Sequence, residues 1–150
     1  MKPFVYLAAI QSGKTPGSIV EDSPVTFGNW SPKNYENDFE GNMTYRYALQ
    51  HSRNVAAVKI ADEVGMTKVI KLAKEMGIST LTDQDYNLST ALGGLTHGVT
   101  PLEMVQAYGV LANGGIKVQP TAILKIVDRN GQVRSEERRV GKECRSRWSR

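Results

Sequence analysis

Tyr45-Arg46-Tyr47-Ala48-Leu49-Gln50-His51-Ser52-Arg53-Asn54-Val55-Ala56-Ala57-Val58 joins two helix patterns across a polar break. Upstream, Thr44 stands where a side chain caps a short helix running through Gln50. Downstream, Val55, Val58, Ala61 and Ile60 fall on one face of a helix over Asn54–Val64, and Gly65 lies just past its end. The break is a Ser-x-Asn triplet, Ser52-Arg53-Asn54. Alone it says little, because three residues match by chance often and Asn54 suits a helix N-cap as well as a catalytic amide.

Working outward, the flanks are helical at both ends with a turn-rich stretch between. Phe4–Ile10 is an apolar run entered through Pro3 and stopped by Gly13, which predicts a core helix. From Lys14 to Gly41, Pro16, Gly17, Pro24, Gly28, Pro32 and Gly41 exclude any helix longer than two turns and leave short extended pieces at Ser18–Val20 and Pro24–Phe27. Beyond Gly65, Thr67 is expected to cap a helix that buries Val69, Ile70, Ala73 and Met76 and stops at Gly77. Thr100-Pro101-Leu102-Glu103 reads as a full capping box, and the expected apolar face of its helix is Leu102, Val105, Tyr108 and Leu111, ending at Asn113-Gly114-Gly115. Two extended segments follow, Ile116–Gln119 and Ala122–Asp128, the second entering an Asn130-Gly131 turn.

The chain has 150 residues, enough for one domain with a core, and a net charge of +4 that invites a nucleic-acid or membrane-surface reading. The position of the charge removes that reading. Seven of the 19 basic and three of the 15 acidic residues lie in Arg134–Arg150, so positions 1–133 carry 12 of each and no net charge. The sole cysteine, Cys144, is in the same stretch. That stretch has no apolar period and resembles the conceptual translation of a sequencing-adapter oligonucleotide. It is therefore set apart from the fold as foreign, the alternative being a disordered basic tail. The expected division is a partial domain over 1–133 and this tail over 134–150. The longest apolar run, Phe4–Ile10, falls far short of the ~20 residues that span a bilayer.

Several strings imitate chemistry without its requirements. Gly13-Lys14-Thr15 looks like the end of a phosphate-binding loop, but the first glycine of that motif is replaced by Ala8 and a helix precedes it instead of a strand. The acidic run Glu36–Gly41 lacks the alternation of a calcium loop. With His51 and His97 the only histidines, a zinc site would need carboxylates to complete it, so no metal and no cofactor is expected.

One constellation remains. Lys2-Pro3-Phe4-Val5-Tyr6-Leu7-Ala8-Ala9, Thr15-Pro16-Gly17-Ser18-Ile19-Val20, Trp30-Ser31-Pro32-Lys33-Asn34-Tyr35, Ser52-Arg53-Asn54-Val55 and Val99-Thr100-Pro101-Leu102-Glu103-Met104 occur in this order, and Tyr108–Gly115 continues it. Together they resemble the transpeptidase domain of class A penicillin-binding proteins, over about positions 2–133. The resemblance implies an α+β, partial penicillin-binding/serine β-lactamase-like fold, mostly the helical subdomain with a few short strands. It also implies a serine acyltransferase acting on the D-Ala-D-Ala end of peptidoglycan stem peptides and acylated by β-lactams, with no nucleic-acid partner. The parent would be membrane-anchored at the outer face of the bacterial cytoplasmic membrane.

By the same resemblance, Lys2 is the general base, Ser52 the proton relay and Asn54 the amide that binds the substrate carbonyl. A serine hydroxyl needs such a base, and a lysine one helical turn away shares its helix face once burial strips its charge. The departures are as informative. No serine here is followed at the third position by lysine, and no Lys-Thr-Gly or Lys-Ser-Gly occurs. The polypeptide as written is therefore expected to be inactive, truncated at both ends and marginally stable. A non-catalytic penicillin-recognising domain and a serine β-lactamase relative are the alternatives.

Overall fold

The computed structural model describes residues 1–136, which divide into two units, Met1–Val99 and the residues from Thr100 on. The first unit is built around α1 (Lys2–Gln11), β1 (Ile19–Asp22), β2 (Gly41–Thr44), α2 (Tyr45–Gln50), α3 (Asn54–Val64) and α4 (Met66–Met76). Two 3-10 turns, Asp83–Asp85 and Leu88–Leu92, complete it.

α1 is the spine of this unit. It packs against α3, α4 and the second 3-10 turn, and Phe4, Val5 and Ala9 are wholly buried. α3 is buried almost all round, through Val55, Ala56, Ala57, Val58, Ile60, Ala61 and Val64, because its alanines let neighbours close in on several sides. α4 keeps a one-sided stripe, with Val69, Ile70, Leu72, Ala73 and Met76 inside and Lys68, Lys71 and Lys74 outside. Tyr6 on α1 meets Tyr45 on α2 edge-on, their ring centres 5.8 Å apart.

The expected cap at Thr67 is not used. Gly65, at φ +88, ends α3 and begins α4 by itself, so the turn closes two residues earlier and Thr67 falls inside the helix. The sequence also hid β2. It pairs antiparallel with β1, Ile19 opposite Thr44 through Asp22 opposite Gly41, and turns Val20 and Asp22 inward. Gly41-Asn42-Met43-Thr44 carries no alternation that would mark it as a strand. The extended piece expected over Pro24–Phe27 reduces to one bridge between Phe27 and Trp30.

Asp85 organises the loops after α4. Its carboxylate is fully buried and accepts from the backbone N–H and hydroxyl of Thr82 (2.7 and 3.0 Å) and of Thr96 (2.8 and 2.9 Å). Backbone donation from Thr82 and Thr96 holds the carboxyl well below its usual range against the opposing pull of burial.

In the second unit, α5 (Pro101–Ala112) begins with the capping box read from sequence: Thr100 Oγ1 accepts from Glu103 N–H (3.2 Å), and Glu103 accepts from Thr100 N–H (3.1 Å). The expected apolar face is wrong. Leu102, Val105, Tyr108 and Leu111 are exposed, and Ala107 and Val110 are buried instead. Repeated steps of three drift by about 60° each on a helix of 3.6 residues per turn, so Leu102 and Leu111 point to opposite sides. β3 (Lys125–Val127) and β4 (Val133–Glu136) form an antiparallel hairpin closed at Asp128–Gly131, whereas Ile116–Gln119 forms no strand. β4 runs three residues past position 133. The rest of the segment set apart, 137–150, lies outside the described residues.

Because Asp85 is held below the ordinary carboxylate value of about 4, its stabilising effect is complete above that value and disappears as pH falls through it toward the folded-state value. We expect the melting temperature to drop on acidification below about pH 5, with Asp85→Asn lowering the plateau and removing most of the pH slope. Equal slopes for the two proteins in thermal melts across this range would refute the assignment.

Candidate active site

Ser52 sits where α2 ends. His51 N–H returns to Tyr47 O, Ser52 N–H to Leu49 O (3.0 Å) and Arg53 N–H to Ala48 O (2.9 Å). This is the paired closure of a helix C-terminus in which the first residue past the cap turns left-handed. Here that residue is Ser52, at φ +53, one of two non-glycine residues with positive φ among those described. Glycine takes this conformation freely, whereas serine holds it at a cost. The backbone then straightens through Arg53 and re-enters a helix at Asn54.

That geometry turns the Ser52 hydroxyl and the Asn54 amide toward the start of α1. Lys2 Nζ donates to Ser52 Oγ (2.8 Å), Ser52 O (2.5 Å) and Asn54 Oδ1 (2.6 Å). An ammonium has three N–H groups, and all three are used. Lys2 is half-buried, and that desolvation lowers its pKa from the usual lysine value. So Lys2, Ser52 and Asn54, separated by some fifty positions, meet as one hydrogen-bonded cluster. Asn54 Nδ2 spends one N–H on Lys33 O (3.0 Å) and keeps a second for another acceptor.

The middle residue of the triplet faces the opposite way. Arg53 is buried, and its guanidinium reaches Asp22 Oδ2 through Nη2 (2.6 Å) and Nε (2.9 Å), Asp38 Oδ1 (3.0 Å) and Glu40 Oε1 (3.0 Å). Burial alone would lower its pKa, but its hydrogen bonds to Asp38 and Asp22 outweigh that and hold the group above its ordinary value. Asp22, fully buried on β1, also accepts from Asn34 Nδ2 (2.8 and 3.1 Å) and from Glu40 N–H (3.3 Å). Asp22, Asn34, Asp38 and Glu40 escaped the sequence reading. Only Asn34, inside the Trp30–Tyr35 block, carried any signal, since no local period relates Asp22 to Arg53.

The two histidines take no part in the cluster. His51 stacks on Tyr47, ring centres 4.1 Å apart. Among the described residues no group of three or more His, Cys, Asp or Glu side chains could hold a metal ion, and no helix is long and apolar enough to cross a membrane.

A family model described as the penicillin-binding protein transpeptidase domain matches residues 1–145. Penicillin-binding protein 1A of Aquifex aeolicus is 42% identical over 142 residues, 91% of this chain and 19% of that protein. Penicillin-binding protein 1A of Rickettsia conorii is 39% identical over 149 residues, 95% of this chain and 18% of that protein. The chain thus spans about a fifth of the length of these relatives. Among solved structures, penicillin-binding protein 1A from Haemophilus influenzae superposes with a TM-score of 0.81 at 32% identity, covering 90% of this chain and 20% of that one. PonA1 from Mycobacterium tuberculosis in complex with penicillin V gives 0.79 at 26%, covering 90% and 39%. These neighbours give the architecture its place: a helix-rich part of a transpeptidase fold.

Two measurements check the geometry. In an NMR titration the Lys2 amine is expected to lose its proton below the usual lysine value, and Asn54→Leu, which removes an acceptor while keeping the site dry, to push it lower still. An unchanged Lys2 titration in that variant would contradict the contact. Ser52→Gly is expected to stabilise the chain by roughly 1 kcal/mol in urea unfolding, because glycine carries no left-handed penalty. A loss of stability there would mean that the hydroxyl's bond to Lys2 outweighs the backbone strain.

Proposed function

Since the chain belongs to the penicillin-binding protein transpeptidase family, we propose that it is part of a class A enzyme's acyl-transfer domain, which cross-links peptidoglycan stem peptides at the outer face of the cytoplasmic membrane. The observation that carries this is the meeting of Lys2 Nζ with Ser52 Oγ and Asn54 Oδ1 at 2.8 and 2.6 Å.

In this reading the nucleophile is a serine three residues before Lys2, on the same face of α1 extended by one turn. Neutral Lys2 takes the serine proton as its oxygen attacks the carbonyl of the penultimate D-alanine. Ser52 Oγ, already bonded to Lys2 Nζ, receives that proton and passes it to the amine of the departing terminal D-alanine as the C–N bond breaks. An amine from a neighbouring strand then attacks the acyl-serine ester. Its proton returns through Ser52 and Lys2, and the serine is released. The free N–H of Asn54 Nδ2 holds the substrate's peptide carbonyl in line. The lowered basicity of Lys2 favours this cycle, since a lysine that is half-neutral nearer physiological pH both accepts and gives back a proton readily. A β-lactam enters the same path through its strained amide, with the leaving amine still tethered. The penicillin V complex of the PonA1 neighbour supports this class of ligand.

None of the 150 residues supplies a Ser-x-x-Lys nucleophile or a Lys-Thr-Gly strand. A fluorescent penicillin should therefore leave this polypeptide unlabelled and label the full-length protein covalently at the serine three residues before Lys2. Ser52→Ala in the full-length protein should slow acylation by about 10²–10⁴-fold. Labelling of the 150-residue chain at a defined serine, or full-rate labelling of the Ser52 variant, would overturn the reading. Rapid loss of the label as hydrolysed drug would point instead to a β-lactamase.

A further inference from the structure

We infer that Asn34 is the residue that positions the Ser52-Arg53-Asn54 triplet, acting as an external cap on α3 and aimed by Asp22; the catalytic meaning of this rests on the reading above. α3 begins without a cap of its own, because its N-cap residue is Arg53, whose side chain makes no capping bond. The first N–H groups of such a helix would be left open. Asn34, twenty positions upstream, closes two of them: its Oδ1 accepts from Asn54 N–H (2.8 Å) and Val55 N–H (3.1 Å).

The other end of the same amide fixes its direction. Asn34 Nδ2 points at both Asp22 carboxylate oxygens (2.8 and 3.1 Å) and at Asp38 O (2.9 Å). A flipped amide would set its oxygen against three acceptors and its nitrogen against two donors, so only one orientation is tolerated. Asn34 is itself buried, and the residue before it, Lys33, takes the Asn54 side chain through its carbonyl (3.0 Å). Lys33-Asn34 therefore grips Asn54 at both backbone and side chain, while Asp22 grips Arg53 beside it. The Lys33-Asn34 pair thus meets both the start of α3 and the Asn54 amide. The 2.6 Å bond from Lys2 depends on the direction of that amide.

The expected effects differ from those of general destabilisation. Asn34→Ala should raise deuterium exchange at the Asn54 and Val55 amides of the 150-residue chain by about fivefold or more, the equivalent of a lost cap, with little change in α4. In the full-length protein it should slow penicillin acylation on the order of 10²-fold, as displacement of a reacting group by about 1 Å does. Ile70→Val, a core change in α4, serves as the control: it should lower the melting temperature without slowing acylation.

Acylation of Asn34→Ala within twofold of wild type, unchanged exchange at Asn54 and Val55, or equal slowing by Ile70→Val would each overturn the positioning role. A wild-type full-length protein that takes up no penicillin while Asn34→Ala still raises exchange would instead overturn the functional reading and leave the cap standing.

Discussion

A buried carboxylate is costly unless every lone pair is answered, and the first unit is arranged around answering one. Asp22 comes inward from β1 because β2 fixes its register opposite Gly41, where no side chain competes for the space. Around it gather the Arg53 guanidinium, the Asn34 amide and the Glu40 backbone. Removing Arg53 would leave that charge uncompensated, a loss of about 3–5 kcal/mol for a buried pair. Such a pair is weak evidence for stability in itself. Its use here is geometric: it fixes where α2 ends and α3 begins, and so where the hydroxyl and amide between them face.

Packing supplies the other half of the arrangement. α1 is enclosed along Phe4, Val5, Ala8 and Ala9, so Lys2 at its first turn has little freedom to slide or rotate. α3 is enclosed in the same way. The distance between Lys2 and the triplet is thus set by two helices that cannot shift without opening the core, and only the side-chain torsions remain to be fixed by hydrogen bonds.

Much of this was legible in advance. The helices followed from apolar spacing and from their boundary signals, Gly65 and Gly77 at helix ends and the Thr100 capping box at a helix start, while Lys2, Ser52 and Asn54 were named by the resemblance and lie within hydrogen-bond distance of one another through Lys2 Nζ. What failed did so for physical reasons. Thr67 looked like a cap because glycine's ability to start a helix from positive φ leaves no mark in a hydrophobic pattern. The buried side of α5 was misjudged because that helix carries apolar residues over most of its circumference, so spacing alone did not choose a face. The Asp22, Asn34 and Arg53 network was invisible because its members are 12 to 31 positions apart and belong to a strand, a loop and a helix end. Nor does any sequence signal announce that Ser52 is left-handed.

The concealment of Arg53 has a bearing on ionic strength. Dissolved ions weaken attraction between charges that water can reach, over a distance of about 10 Å at 0.1 M salt, but leave enclosed pairs nearly untouched. Lys14 and Glu63, paired in the open, belong to the first kind, and Arg53 and Asp22 to the second. Swings in ionic strength around the protein therefore act on the first kind far more than on the second. With the triplet anchored on an enclosed pair, its geometry is insulated from those swings even where the protein's outer charges are not.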